Sequence, residues 1–250
     1  MTIIQSLTTP KKHDLNYAGL QTPVQVRRHP SAKRLTLRIS HTRRAVIVTM
    51  PKHCSFDDAS DFLTENIEWV RQRIEQLPEA VPFVNGILVP LRGEDHQISF
   101  EGPLRRRDVV WTENREDIVP ALCVTGDVVH APRRLKDWLS GQAREDLGKR
   151  VQWHARNLGV KAKNISIRDQ TTRWGSCSSR GHLSFSWRLV LAPSHVLDYV
   201  AAHEVAHLQE MNHGPRFWEL VRITMPHMDN ARNWLKENGA KLHSYGALQD

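Results

Sequence analysis

From Thr22 onward the apolar positions fall into two periods. Val24-Gln25-Val26-Arg27 and Leu35-Thr36-Leu37-Arg38-Ile39 alternate residue by residue, and Val46-Ile47-Val48-Thr49-Met50 is a short, β-branched apolar run. A period of two with turn material between (His29-Pro30-Ser31, Ser40-His41-Thr42) predicts strands. After Pro51 the period lengthens to that of a helix. Phe56, Ala59, Phe62, Leu63, Ile67, Val70 and Ile74 make one stripe, widened by Trp69, with Ser55 or Asp57 as cap and Pro78 as stop. Short strands are expected again at 86–91, 96–100, 122–124 and 128–129, the last two around a Gly126-Asp127 turn. Residues 101–120 carry the weakest pattern, and Arg105-Arg106-Arg107 reads as a surface loop. Residues 1–21 read as a loose polar leader.

Beyond Pro132 a second long stripe (Leu135, Trp138, Leu139, Ala143, Leu147, Val151, His154, Leu158) predicts an amphipathic helix that Gly159 ends. Asn164–Arg168 alternates as a strand. Two more strands, Arg173–Cys177 and Leu183–Leu191, are joined through a Ser-Ser-Arg-Gly turn. Gly175 in such a run marks a bulge or a close backbone approach. Ser194 caps a helix through Val196, Leu197, Val200 and Ala201, and helices follow over 217–225 and 231–242. The sequence shows no internal repeat. The expected class is α+β: a basic, β-rich module with one long helix over 22–130, then a domain over 131–250.

The helix after Ser194 carries the chemistry. His203 and His207 stand four apart, about 40° around a helix axis, and can aim at one point. Two neutral imidazoles at that spacing suit Zn²⁺. Glu204 sits beside them, where a general base for a metal-activated water belongs. Burying a carboxylate costs several kcal/mol unless it is paired or used, so plain packing explains this trio poorly. The third ligand is His213, provided the helix breaks first. Six more helical residues would turn it about 120° away from His207, and Asn212 and Gly214-Pro215 are suitable breakers. Glu210, Glu219 and Glu237 are rival ligands. Arg173, Trp174 and Gly175 are candidate substrate contacts, on a strand that could pair with an extended peptide. Cys177 reads as a small buried hydrophobe.

Composition narrows the setting. The chain has 250 residues, 40% of them hydrophobic and 25% charged, as in ordinary globular proteins, but its net charge of +8 favours anionic partners such as nucleic acid, nucleotides or acidic peptides. Arg27, Arg28, Lys33, Arg34, Arg38, Arg43 and Arg44 concentrate that charge in the first module. Three scattered cysteines, Cys54, Cys123 and Cys177, argue for a reducing compartment. No signal-like N-terminus and no long apolar window is visible, so a cytoplasmic location is expected.

Arg173-Trp174-Gly175-Ser176-Cys177, the Tyr199–Leu208 helix, Asn212-His213-Gly214-Pro215-Arg216-Phe217-Trp218 and Trp234-Leu235-Lys236 together resemble the YgjP-like metal-dependent hydrolases, zincins similar to the SprT-like peptidases. The basic opening at Lys33-Arg34-Leu35 and the segment from Pro51 to Ile74 resemble that family's N-terminal part less specifically. The resemblance implies a zincin-like metallopeptidase domain with a small sheet packed on the HExxH helix. It implies His203, His207 and His213 as Zn²⁺ ligands, Glu204 as the catalytic acid/base, and a peptide or protein substrate. Two other readings remain: a metal-dependent nucleoside triphosphate pyrophosphatase, and a non-enzymatic nucleic-acid-binding module with structural zinc.

Overall fold

A computed structural model of the chain describes residues 13–15, 20, 22–103, 108–116 and 118–247. The Arg105–Arg107 run and most of the expected leader lie outside the described residues. The chain divides into two compact units, Met1–Glu79 and Ala80–Asp250. The boundary expected near 130 falls inside the second unit.

In the first unit β1 (His13–Leu15), β2 (Val24–Arg28), β3 (Thr36–Ser40) and β4 (Ala45–Met50) form a sheet of order β1-β2-β4-β3. The expected leader therefore contains a strand, which pairs antiparallel with Val24–Val26. The alternation places Val24, Val26, Val46 and Val48 in one apolar cluster with Ala59, Leu63 and Val70 of the helices. One long helix was expected, but two form: α1 (Phe56–Glu65) and α2 (Ile67–Glu75). Ser55 is the cap. Its hydroxyl accepts from the Asp58 amide at 3.0 Å, and the Asp58 carboxylate accepts from the Ser55 amide at 2.7 Å. The break is at Asn66, whose side-chain amide donates back to the Phe62 carbonyl at 2.8 Å and whose backbone leaves helical values at φ −108° and ψ 13°.

The second unit opens with β5 (Leu88–Leu91), β6 (Glu94–Phe100), β7 (Val110–Arg115) and β8 (Ile118–Val124), in order β5-β6-β8-β7. The strand β7 arises in the stretch the sequence left unpatterned. Val128 and Val129, expected as a strand, instead lie in a 3-10 turn (Val128–His130) and are exposed. This sheet repeats the topology of the first. In both, the first two strands are antiparallel, the second and fourth parallel, and the fourth and third antiparallel. The duplication is one of strand path and leaves no visible trace in the sequence.

The long helix α3 (Ala131–Asn157) follows, and Gly159 beyond its end adopts φ +66°, the left-handed conformation a glycine stop supplies. Next come β9 (Asn164–Arg168), β10 (Gly175–Cys177) and β11 (His182–Ser186), in order β10-β11-β9, so that β10 is an edge strand. Trp187–Leu191, expected to continue the last strand, is a buried 3-10 turn. Three helices complete the unit: α4 (Ser194–Ala206), α5 (Pro215–Thr224) and α6 (Met228–Leu242). One continuous core joins the β5–β8 sheet (Val89, Ile98, Leu122), α3 (Leu135, Leu139, Leu147) and α4 (Val196, Val200, Val205). The structure is thus α+β. Among the described residues no helix is long and apolar enough to cross a membrane.

A polar lock fixes α4 on α3. The Asp198 carboxylate accepts two hydrogen bonds from the Arg150 guanidinium and lies 2.7 Å from Nε2 of His154, which is fully buried. Burial pushes the Asp198 carboxyl up, but the hydrogen bonds and charges of His154 and Arg150 outweigh it and hold it below the ordinary carboxylate range. We expect Asp198→Asn to lower the unfolding free energy at pH 7 by about 2 kcal/mol, the scale of a broken, partly buried pair. A carboxylate with a depressed pKa stabilises above its unfolded value and loses that contribution as pH falls. The wild-type and variant urea midpoints should therefore converge below about pH 4.

Candidate metal centre

The helix α4 stops at Ala206, earlier than the breakers Asn212 and Gly214-Pro215 required. The amides of Leu208, Gln209 and Glu210 bond back to Val205 and Ala206, tightening the chain into turns. Nδ1 of His207 lies 3.0 Å from the Glu210 carbonyl, which can only accept, so Nδ1 carries the proton and Nε2 keeps its lone pair. The chain then returns, and Pro215 opens α5.

That return brings His213 back over the helix. Its Nε2 lies 3.1 Å from Nε2 of His203, and the three histidines offer ring nitrogens all within 4.8 Å of one another. Among the described residues no other group of three His, Cys, Asp or Glu side chains gathers in this way. Phe217, fully buried on α5, lies under all three rings, with centroids 4.5 to 4.9 Å away. Glu210, Glu219 and Glu237 do not join the cluster.

The electrostatics suit a cation. Burial, then the neighbouring His207, His213 and Arg232, push His203 down to about 3. Burial also lowers His207, against the opposing bond to Glu210. His203 and His207 are thus neutral at pH 7 and present lone pairs. Nitrogens bound tetrahedrally to one zinc at roughly 2.0–2.1 Å stand about 3.3 Å apart, close to the His203–His213 separation. A donor set of three imidazoles matches Zn²⁺ and lacks the oxygen ligands that Mg²⁺ or Ca²⁺ would need.

Glu204 follows His203 on α4 and lines the same cleft. It is 5% exposed, and burial pushes its carboxyl up to about 8, partly opposed by Arg173. What makes room for it is Gly175 on β10. A Cβ placed there would stand 2.5 Å from Glu204 Oε1. The close approach foreseen at Gly175 is therefore that of a carboxylate rather than a backbone. Trp174 stacks on His243 with centroids 4.7 Å apart, and a Cβ on Gly239 would stand 3.2 Å from its indole. Cys177 packs against the core, and burial and the Glu204 charge push its thiol up to about 11, which rules out a resting thiolate.

A cleft of about 380 Å³ opens beside Glu204 and His203. Arg173, Trp174 and Gly175 line one side, as the sequence reading proposed for substrate contacts. Tyr199, Arg232 and Lys236 also line it and were not anticipated. The last two stand four apart on α6, a spacing readable in the sequence once the helix is known.

Comparison with protein families gives a match to the YgjP-like metallopeptidase domain over residues 33–238. The chain belongs to this family. It is accordingly a metal-dependent hydrolase of metallopeptidase type, and such a domain calls for a divalent metal. No curated protein matches the chain. Among solved structures, the crystal structure of the metallopeptidase zymogen of Pyrococcus abyssi abylysin matches 38% of this chain and 94% of that chain, at 20% identity and a TM-score of 0.34, too slight a likeness to bear on function.

The raised Glu204 pKa has a consequence for the metal-free protein. Its folded state favours the protonated carboxyl, so the contribution of this group is fully present below about pH 4.5 and is lost as pH rises towards 8. In chelator, Glu204→Gln should therefore unfold at higher urea than wild type at pH 8.5, by on the order of 3 kcal/mol, with the difference vanishing near pH 4.5.

Proposed function

We propose that the chain is a zinc metallopeptidase, with His203, His207 and His213 as ligands and Glu204 as general acid/base. The observation that carries this reading is the convergence of three imidazoles beside one buried carboxyl group. Bound at these nitrogens, zinc supplies Lewis acidity, polarising a carbonyl and acidifying water. The chain's own residues do the rest. An Oε atom of Glu204 takes the proton of the attacking water and hands it to the leaving amine nitrogen. Burial raises this carboxyl in the metal-free fold, and a bound cation would lower it towards the range in which it can accept a proton near neutral pH. The edge strand β10 offers backbone groups to an extended peptide, the geometry of strand addition. Gly175 keeps that strand close to the carboxylate, and Arg173 stands ready to hold a substrate oxygen. The three free cysteines support a reducing, cytoplasmic location.

The test is metal analysis with a peptide-library screen. Wild type should carry one zinc and cleave peptides, and chelation should abolish cleavage until zinc is restored. Glu204→Gln should keep the metal and lose at least 10²-fold in kcat, the scale of a lost general base, whereas His207→Ala should lose the metal. Zinc-loaded protein that cuts no peptide would sink the proposal, and unchanged function in Glu204→Gln would favour a structural zinc in a nucleic-acid-binding module. A second reading, nucleoside triphosphate hydrolysis, draws support from the cations of the cleft, and pyrophosphate release from a nucleotide panel decides it.

Gly175→Ala offers an independent check. The added methyl must displace the Glu204 carboxylate, so kcat should fall about 10²-fold, as for a reacting group misplaced by an ångström. Zinc content should remain unchanged.

A further inference from the structure

The cleft beside Glu204 and His203 combines an apolar lining, supplied by Trp174, Val200 and Leu235, with three cations. Arg173 lines it, near enough to Glu204 to pull on its proton equilibrium. Arg232 and Lys236 line it as well, four apart on α6 and so on one face of that helix. Like charges at this spacing repel. The same helix carries Asp229 and Glu237, yet neither lines the cleft and neither pairs with Arg232 or Lys236 among the described residues. Arg173 makes no salt bridge among the described residues and acts on Glu204 only through its charge. Arg232 is held in place by Trp218, whose ring centroid lies 5.2 Å from the guanidinium carbon. Three cations, facing the single carboxyl of Glu204 among the described lining residues, therefore border an apolar space next to the candidate reaction centre. Such walls focus the field and concentrate anions.

The geometry points to a carboxylate-binding subsite: Arg173, Arg232 and Lys236 select peptides that carry a carboxylate close to the scissile bond. This rests on the peptidase reading above and adds the substrate class. An arginine fork matches a carboxylate in a bidentate pair, and the cleft volume accommodates a few residues. Phosphate fits less well. The residues contributed by α6 and α4 lie in the middle of the first helix and toward the C-terminal end of the second, so no helix N-terminus or glycine-rich loop turns backbone amides into the cleft.

Binding can be measured apart from turnover. Metal-free Glu204→Gln protein is titrated calorimetrically with matched peptides containing Asp/Glu, Asn/Gln or Lys, each as a C-terminal acid and as an amide. We expect at least tenfold tighter binding of the carboxylate-bearing peptides, weakening with salt. Dependence on Asp/Glu assigns the group to a side chain, and dependence on acid over amide assigns it to the terminus; either supports the subsite. The preference should vanish in Arg232→Ala/Lys236→Ala and turn towards Lys peptides in Arg232→Glu/Lys236→Glu, with circular dichroism unchanged. Equal affinity for acidic, neutral and basic peptides, or tighter binding of a nucleoside triphosphate than of every acidic peptide, would overturn it. Acidic preference in binding with no cleavage by zinc-loaded wild type would leave the subsite standing and remove the peptidase reading instead.

Discussion

The proton on His207 Nδ1 is held by the Glu210 carbonyl, and the local geometry of the site depends on the turn that makes this bond. Had α4 continued, His213 would face away from His207. Instead the chain tightens after Ala206, Nε2 of His207 is left with its lone pair, and His213 returns to within 3.1 Å of His203. The same turn starts α5 where Phe217 can fill the space under the three rings. One helix end thus sets a tautomer, a third donor and a packed floor.

The other half of the site is defined by what is missing. Gly175 has no side chain, and the space this leaves is occupied by the Glu204 carboxylate. A buried carboxyl without strong partners sits high on the pH scale, and a cation nearby would draw it down again. On the preceding turns of α4 the Asp198–Arg150–His154 lock ties the same helix to α3.

Much of the site was legible in the residues. The four-residue spacing of His203 and His207, Glu204 between them and a break before His213 are local features, and local periodicity survives whatever tertiary setting surrounds it. The sites where the sequence misled were governed by longer-range or competing bonds. Asn66 turned its amide onto Phe62 and split a helix whose apolar stripe runs unbroken. Val128 and Val129 have β-branched side chains but were taken by the Asp127-capped turn that opens α3. His13–Leu15 has no apolar alternation and is a strand because β2 offers it a free edge.

The sequence by itself determined the α+β class, the alternating strands of the first sheet and the zinc-suited histidine spacing, since each follows from contacts a few residues apart. Tertiary structure alone decided that the β5–β8 sheet shares a core with α3 and α4, so that the compact unit begins at Ala80. It alone set Gly175 against Glu204, 29 positions on along the chain, and brought Arg173 together with Arg232 and Lys236 of α6 in one cleft. No periodicity records such pairings, because what joins them is packing across the core.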